Sequence, residues 1–307
     1  MDAEAGLIAA YGFRNSNMQP GTEVYVVTKL VSPGGKELLI GEGQPTIVIG
    51  ERINPFGKSG MKEAMIAGDM ERVRQEAVNQ VQAGADALVV SVGAFGIDEP
   101  SVFPRVVAAV KEAVDLPLVL ESKNPDALRA ALALGVGTPI ISSVTGEDAV
   151  LEALLPIVRE HNTAVIALAT DSAGVPATAE KRMDVIRRIM EKAGAAGIAP
   201  ESVLVDCLAE SIAVSGQATH TTLTTMRMVS EEFGLNLVLG ASNVSFGLPG
   251  RPIINAAFMA LAIAGGLTAA ITNPTSMKAP IMATDLLLGR DARARRYVTY
   301  FRTLKKA

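Results

Sequence analysis

Short runs of apolar, β-branched residues recur from residue 47 onward, separated by longer stretches whose apolar positions return with helical spacing. The short runs are 47–50 (IVIG), 87–92 (ALVVSV), 117–121 (PLVLE), 138–142 (TPIIS), 164–169 (AVIALA), 203–206 (VLVD), 235–240 (LNLVLG) and 269–272 (AAIT). They barely alternate between apolar and polar, and so predict strands covered on both faces, as parallel sheets require. Between them the pattern predicts amphipathic helices with readable ends. One covers 69–83 and stops at Gly84; another covers 178–193, opens at Thr178 and stops at Gly194. A third opens at Asn124, a good N-cap, with Pro125 presetting its first turn. The apolar stretch 256–271 is broken by Gly265-Gly266 and reads as a buried helix, a turn and a buried strand.

Eight strands alternating with helices over about 240 residues predict a (β/α)8 or TIM barrel spanning 47–307. A doubly wound sheet is the structural rival. It uses fewer parallel strands and a glycine-rich nucleotide loop, and no GxGxxG follows the first strand here. Residues 1–46 lie outside the repeat as an N-terminal extension. In it, 24–31 (VYVVTKLV), Pro33-Gly34-Gly35 and 37–40 predict a β-hairpin, read as a plug under the barrel or an oligomer contact rather than a catalytic lid.

Composition narrows the picture. A chain that is 49% hydrophobic can fill a large core and lacks the signature of disorder. Net charge is −4, and basic residues gather only in Arg293, Arg295, Arg296, Arg302, Lys305 and Lys306. That tail reads as a solvated helix face, and nothing suggests a nucleic-acid partner. The single cysteine, Cys207, excludes an internal disulfide and reads as a buried apolar residue in a reducing compartment. With no basic, apolar leader and no membrane-spanning stretch, the expectation is a cytoplasmic protein, assembled as a homodimer, with no membrane partner. Two histidines, His161 at an exposed helix end and His220, are too few for a histidine-based triad, so no protein-bound metal is expected.

A barrel keeps its chemistry at the carboxyl ends of its strands. The polar residues there are Glu51, Arg52 and Asn54; Ser91; Glu121 and Ser122; Ser142 and Ser143; Thr170 and Asp171; Asp206; Ser242 and Asn243; Thr272 and Asn273. Each alone is explicable as a cap or turn former, but a complete ring converges on one cavity. Asp206 closes a wholly apolar run, where a carboxylate needs a partner. Glu121 reads equally as a ligand acceptor or as one half of an ion pair with Lys123 or Arg52; Glu51 and Arg52 read as a pair. Asn54 and Asn255 read as loop and helix-terminus residues. Carboxylates beside amides and hydroxyls suit the amino-pyrimidinone edge of a pterin, which offers an exocyclic amine next to a ring N–H. Gly247, Gly250 and Arg251 form a weak phosphate loop and keep a phosphate-handling lyase or aldolase barrel as an alternative.

The segments 49–57 (IGERINPFG), 242–245 (SNVS) and 251–255 (RPIIN), in that order, resemble the pterin-binding methyltransferases that act with corrinoid proteins. The likeness runs from about residue 47 to the last helix. Dihydropteroate synthase is a more distant likeness, because its glycine-rich segment after the second strand is replaced here by VVSVGAFG. The resemblance implies tetrahydrofolate or methyltetrahydrofolate as substrate, a corrinoid carried by a partner protein, and methyl transfer at the pterin N5. Asn243 matches the family's asparagine near N5 and is the catalytic candidate. Asp206 matches a pterin-anchoring aspartate; Glu121 and Ser142 stand where the family has an aspartate and an asparagine; Glu51, Arg52 and Ser91 are supporting candidates. The family's Asp-x-Asn after the second strand is replaced by Val89-Val90-Ser91, which predicts a more apolar cavity floor. A different methyl donor or acceptor, or a catalytically silent barrel that binds a pterin or docks a partner, are the alternatives the altered ring leaves open.

Overall fold

The apolar runs become strands because both of their faces are covered. The computed structural model describes residues 26–56 and 60–304. Its barrel strands are β3 (Ile47–Ile53), β4 (Ala87–Ser91), β5 (Leu118–Glu121), β6 (Ile140–Val144), β7 (Ala164–Leu168), β8 (Val203–Asp206), β9 (Asn236–Gly240) and β10 (Leu267–Thr272). All are parallel, follow chain order, and close where β10 meets β3. Alternate residues fill two compartments. Ile49, Val89, Val119, Ile140, Ile166 and Leu204 fill the barrel interior, while Val48, Leu88, Val90, Leu120, Ile141 and Val165 face the helical layer.

That layer comprises α1 (Met61–Ala67), α2 (Met70–Gln82), α3 (Glu99–Ala113), α4 (Pro125–Leu132), α5 (Asp148–His161), α6 (Ala179–Ala195), α7 (Ala218–Phe233), α8 (Arg251–Ala264), α9 (Pro274–Leu287) and α10 (Arg295–Leu304). The expected caps form: Asp69 accepts from the Arg72 N–H at 3.2 Å, and Asn124 Oδ1 accepts from Asp126 and Ala127 at 2.9 and 3.1 Å. Of the boundaries that move, three have a clear cause or consequence. Helix α6 runs through Gly194 to Ala195, and the chain turns instead at Gly197, where φ is +75°. Strand β6 starts two residues late, because Pro139 has no N–H for the ladder and Thr138 bridges to Val31. Strand β3 continues to Ile53, which decides the sidedness of Glu51 and Arg52. Among the described residues no helix is long and apolar enough to cross a membrane.

The predicted hairpin is present as β1 (Thr28–Val31) antiparallel to β2 (Glu37–Ile40); Val24 and Tyr25 lie outside the described residues. Leu30 and Ile40 are fully buried and pack into the interior cluster from below. Asn236, the first residue of β9, clips the hairpin on: its Nδ2 lies 3.1 Å from the Val26 carbonyl, and 3.0 Å from both Thr28 Oγ1 and the Ile40 carbonyl. Thr28 Oγ1 also donates to the Glu201 carbonyl at 2.7 Å, just before β8. The hairpin therefore plugs the amino-terminal end of the barrel, far from the carboxyl ends of the strands. Asn236→Ala leaves these buried carbonyls without a donor, and is expected to lower unfolding stability by about 1–2 kcal/mol, read from urea denaturation. An unchanged midpoint would show that the amide does not hold the plug.

Candidate active site

Strands that end together place their last inward side chains around one mouth. Ser91, Glu121 and Ser142 stand in register across β4, β5 and β6, and Asp206 stands level with Leu168 across β7 and β8. Together with Glu51, Asn54 and Asn243 they border a cavity of about 640 Å³, well within the size range of small-ligand sites. Its floor is apolar, made by Val89, Ile166, Leu168 and Ile271. Val89 thus contributes an apolar side chain to the floor, while Glu51, Ser91, Glu121, Ser142, Asp206 and Asn243 bring the polar groups.

Asp206 is the most constrained of the wall carboxylates. One oxygen accepts from the Leu208 N–H at 2.8 Å and the other from the Gly240 N–H at 3.3 Å. Leu208 adopts a left-handed φ of 63° to aim that N–H, a conformation unfavourable for a residue with a Cβ and held by its surroundings. The holding group is Arg182 of α6, which has no solvent exposure. Its Nη1 donates to the Cys207 and Leu208 carbonyls, both at 2.7 Å, its Nε donates to the Pro176 carbonyl at 3.0 Å, and its Nη2 pairs with Glu210. Burial nevertheless pushes the Asp206 carboxyl up to about 6, against the opposing pull of the two N–H donors and Arg182. Cys207 is wholly buried, and burial drives its thiol well above its ordinary range.

Glu51 and Arg52 part company because β3 runs past Gly50: Glu51 turns in and Arg52 turns out. The expected pairing of the two does not form. Arg52 Nε meets Glu76 of α2 at 2.9 Å, behind the cavity wall, so Arg52 is a scaffold residue and does not line the cavity. Glu51 instead accepts from Ser242 Oγ at 2.7 Å. Burial raises its carboxyl above the usual range, opposed by the Ser242 hydroxyl and then by Arg251 and Arg52. Nor does either cation hold Glu121. Lys123 reaches Glu147 at 3.9 Å, leaving Glu121 without an ion pair among the described residues. Its carboxyl is raised by burial among the cavity walls, and further by the negative charges of Glu51 and Glu99.

Asn243 sits in a 3-10 turn, Ala241–Ser245, directly after β9. Arg251 ties this turn down by donating to the Ser242 carbonyl at 2.8 Å and Ser245 Oγ at 3.0 Å, with its guanidinium 5.8 Å over the Phe246 ring. Arg251 is thereby engaged as a brace, which weakens the phosphate-loop reading. The Asn243 side chain is exposed into the cavity, near Gly240. Thr170 and Asp171 are turn formers, donating to the Gly174 carbonyl and accepting from the Ala173 N–H, both at 2.8 Å. Asn54, read as a loop residue, does cap a turn by accepting from Phe56 N–H at 2.8 Å, and it also lines the cavity. Glu99 and Lys123 complete the wall. Glue for the site in the form of Arg182, and the wall residue Glu99, escaped the sequence reading. Among the described residues no His, Cys, Asp and Glu side chains group as ligands for a metal ion.

Known proteins resemble this chain in sequence and in fold. A family model described as "Pterin binding enzyme" matches residues 50–273. The methylcorrinoid:tetrahydrofolate methyltransferase of Eubacterium limosum is 30% identical over 264 residues, 83% of this chain and 96% of that protein. Methionine synthase of Mycobacterium tuberculosis is 30% identical over 244 residues, 75% of this chain but 20% of that longer protein. Among solved structures, dihydropteroate synthase from Coxiella burnetii in complex with pteroic acid superposes with a TM-score of 0.63 at 17% identity, covering 85% of this chain and 98% of that one. The dihydropteroate synthase of Yersinia pestis gives 0.64 at 16% identity, covering 85% and 99%. At such identities the structural likeness speaks for the barrel alone.

Proposed function

The chain belongs to the pterin-binding enzyme family, and from that premise we propose that it transfers a methyl group between a tetrahydrofolate-type pterin and a corrinoid carried by a partner protein. The observation that carries the reading is the cavity itself: Asp206 in one wall, Asn243 on the rim, and an apolar floor between them. A flat bicyclic ring lies on Val89, Ile166, Leu168 and Ile271, and its donor edge meets carboxylate oxygens of Asp206 and Glu121. Ser91 and Ser142 supply hydroxyls that either donate or accept at the same level. The corrinoid, when docked, is the other party to the methyl exchange.

The chain's own contribution is positioning and charge stabilisation. A ring amine is a poor leaving group, so N5 needs a hydrogen bond or proton as its bond to the methyl carbon breaks. Asn243 is the group to provide the hydrogen bond. The Glu51–Ser242 bond and the Arg251 brace fix its turn, so little reorganisation is needed when charge develops. Glu51, whose carboxyl is raised by burial, retains its proton to higher pH than an ordinary glutamate and is the protein group we assign as a source of one.

The cavity has room for the pterin, and the corrinoid must approach from outside across the rim. That rim carries exposed apolar side chains on separate loops: Phe56, Phe95, Val214 and Phe246, with Phe95 at 97% and Val214 at 86% exposure. Such a set of exposed apolar groups suits a protein partner. Phe95→Asp is expected to slow transfer to a corrinoid protein by roughly tenfold at sub-saturating partner, and to leave transfer to free cobalamin nearly unchanged. Equal effects on both acceptors would remove Phe95 from the docking surface. The reaction itself is tested by mixing the chain, methyltetrahydrofolate and a reduced corrinoid protein and following corrinoid absorbance. Folate binding without transfer would select the silent-barrel reading.

A further inference from the structure

Val89 cannot accept a hydrogen bond, and its strand therefore brings only the Ser91 hydroxyl to the cavity. Ten residues further on, the same βα connection delivers Glu99, the first residue of α3, into the cavity wall. Its Oε1 is out of solvent and has no hydrogen-bond partner among the described residues. An acidic residue in the first turn of a helix ordinarily serves the macrodipole, facing the free N–H groups or water. Here the helix's first N–H groups bond elsewhere: Ser101 and Val102 both donate to the Asp98 carbonyl, at 3.2 and 2.9 Å. Pro100 has none to offer.

The electrostatics of the cavity say what is missing. Glu51 and Glu99 lie close enough to Glu121 that their negative charges raise its proton affinity, beyond what burial alone does. Lys123 is the cation in the lining, and it is turned to Glu147. A buried carboxylate oxygen without a donor is unfavourable, and a ligand presenting several N–H groups on one edge relieves it. Within the pterin reading, on which this inference rests, the exocyclic amine and ring N–H are those groups. We propose that Glu99 is a specificity-determining residue that accepts a hydrogen bond from the exocyclic amine of the pterin, supplying from the start of α3 the acceptor that Val89 lacks on β4.

The test measures binding alone, by titrating the full chain with tetrahydrofolate and with its analogue in which hydrogen replaces the exocyclic amine. Glu99→Gln should weaken tetrahydrofolate binding about tenfold and leave the analogue within about twofold of wild type, so that discrimination between them collapses. Glu99→Asp keeps the charge but withdraws the oxygen, and should lose discrimination in the same way. Equal losses for both ligands, wild-type behaviour of Glu99→Gln, or full discrimination retained by Glu99→Asp would each overturn the assignment while leaving the pterin reading in place. A wild-type chain that binds neither ligand would overturn the pterin reading, and the assignment with it.

Discussion

Asn243→Ala is expected to slow single-turnover methyl transfer about 10²–10³-fold, roughly 3–4 kcal/mol in activation free energy. The size follows from where the amide acts. A carboxamide is neutral across the working range and is no proton source, but it donates a hydrogen bond that strengthens as charge builds on the departing N5. Its turn is braced by Glu51 through Ser242 and by Arg251 through two bonds, so the donor is in place before reaction. Folate affinity should change far less than rate, because the interaction matures only in the transition state. A variant that binds folate normally and transfers at the wild-type rate would reduce Asn243 to a turn former. Loss of affinity in step with rate would make it a binding residue instead.

Asp206→Asn should weaken folate binding by about 1–3 kcal/mol, about one to two orders of magnitude in affinity. One acceptor oxygen becomes an NH2 group, which opposes a ligand donor or the N–H of Leu208 or Gly240. The substitution also changes the pH dependence, and the sign is specific. With its carboxyl at about 6, Asp206 is ionised above that pH and increasingly protonated below it. The ionised form is the better acceptor for two N–H groups, so wild-type affinity should hold above pH 6 and fall as pH drops through it. The Asn variant should lack that component. The free protein should behave oppositely in stability: a folded value raised above the ordinary 3.8 means the folded state holds its proton longer, so this group's contribution is full below about pH 4 and is lost as pH rises through 6. Folate titrations and denaturant melts across pH 5–8 separate the two. An affinity independent of pH in wild type would remove Asp206 from the ligand contacts.

The barrel was legible because its strands are buried on both faces and so appear as short, uninterrupted apolar runs, each closed by a polar residue. The places of Asp206 and Asn243 on the cavity wall were legible for the same reason, one closing an apolar run and the other in the turn that follows one. Sidedness was harder. Whether Glu51 and Arg52 pair with each other depends on β3 continuing three residues beyond IVIG, and that continuation comes from tertiary pairing with β4, not from local propensity. Arg182 was hidden inside a helix rich in Lys and Arg, where one more basic residue reads as solvated surface; only the carbonyls of the loop after β8 reveal it as buried. Glu99 was hidden by its position, since acids at helix starts are common for reasons unrelated to ligands. Asn236 opens the apolar run of β9, and nothing local shows that a hairpin from residues 28–40 comes to lie beneath it.

The central claim is methyl transfer between a folate and a corrinoid at the cavity bordered by Asp206 and Asn243. It is tested most directly by single-turnover mixing of the wild-type chain and methyltetrahydrofolate with a corrinoid protein reduced to Co(I), with absorbance reporting methylation and Asn243→Ala run beside it. The account predicts rapid methylation that requires the chain, and a loss of about 10²–10³-fold in the variant with folate binding retained. Saturating folate binding with no methylation by the wild-type chain, in either direction of transfer, would contradict it.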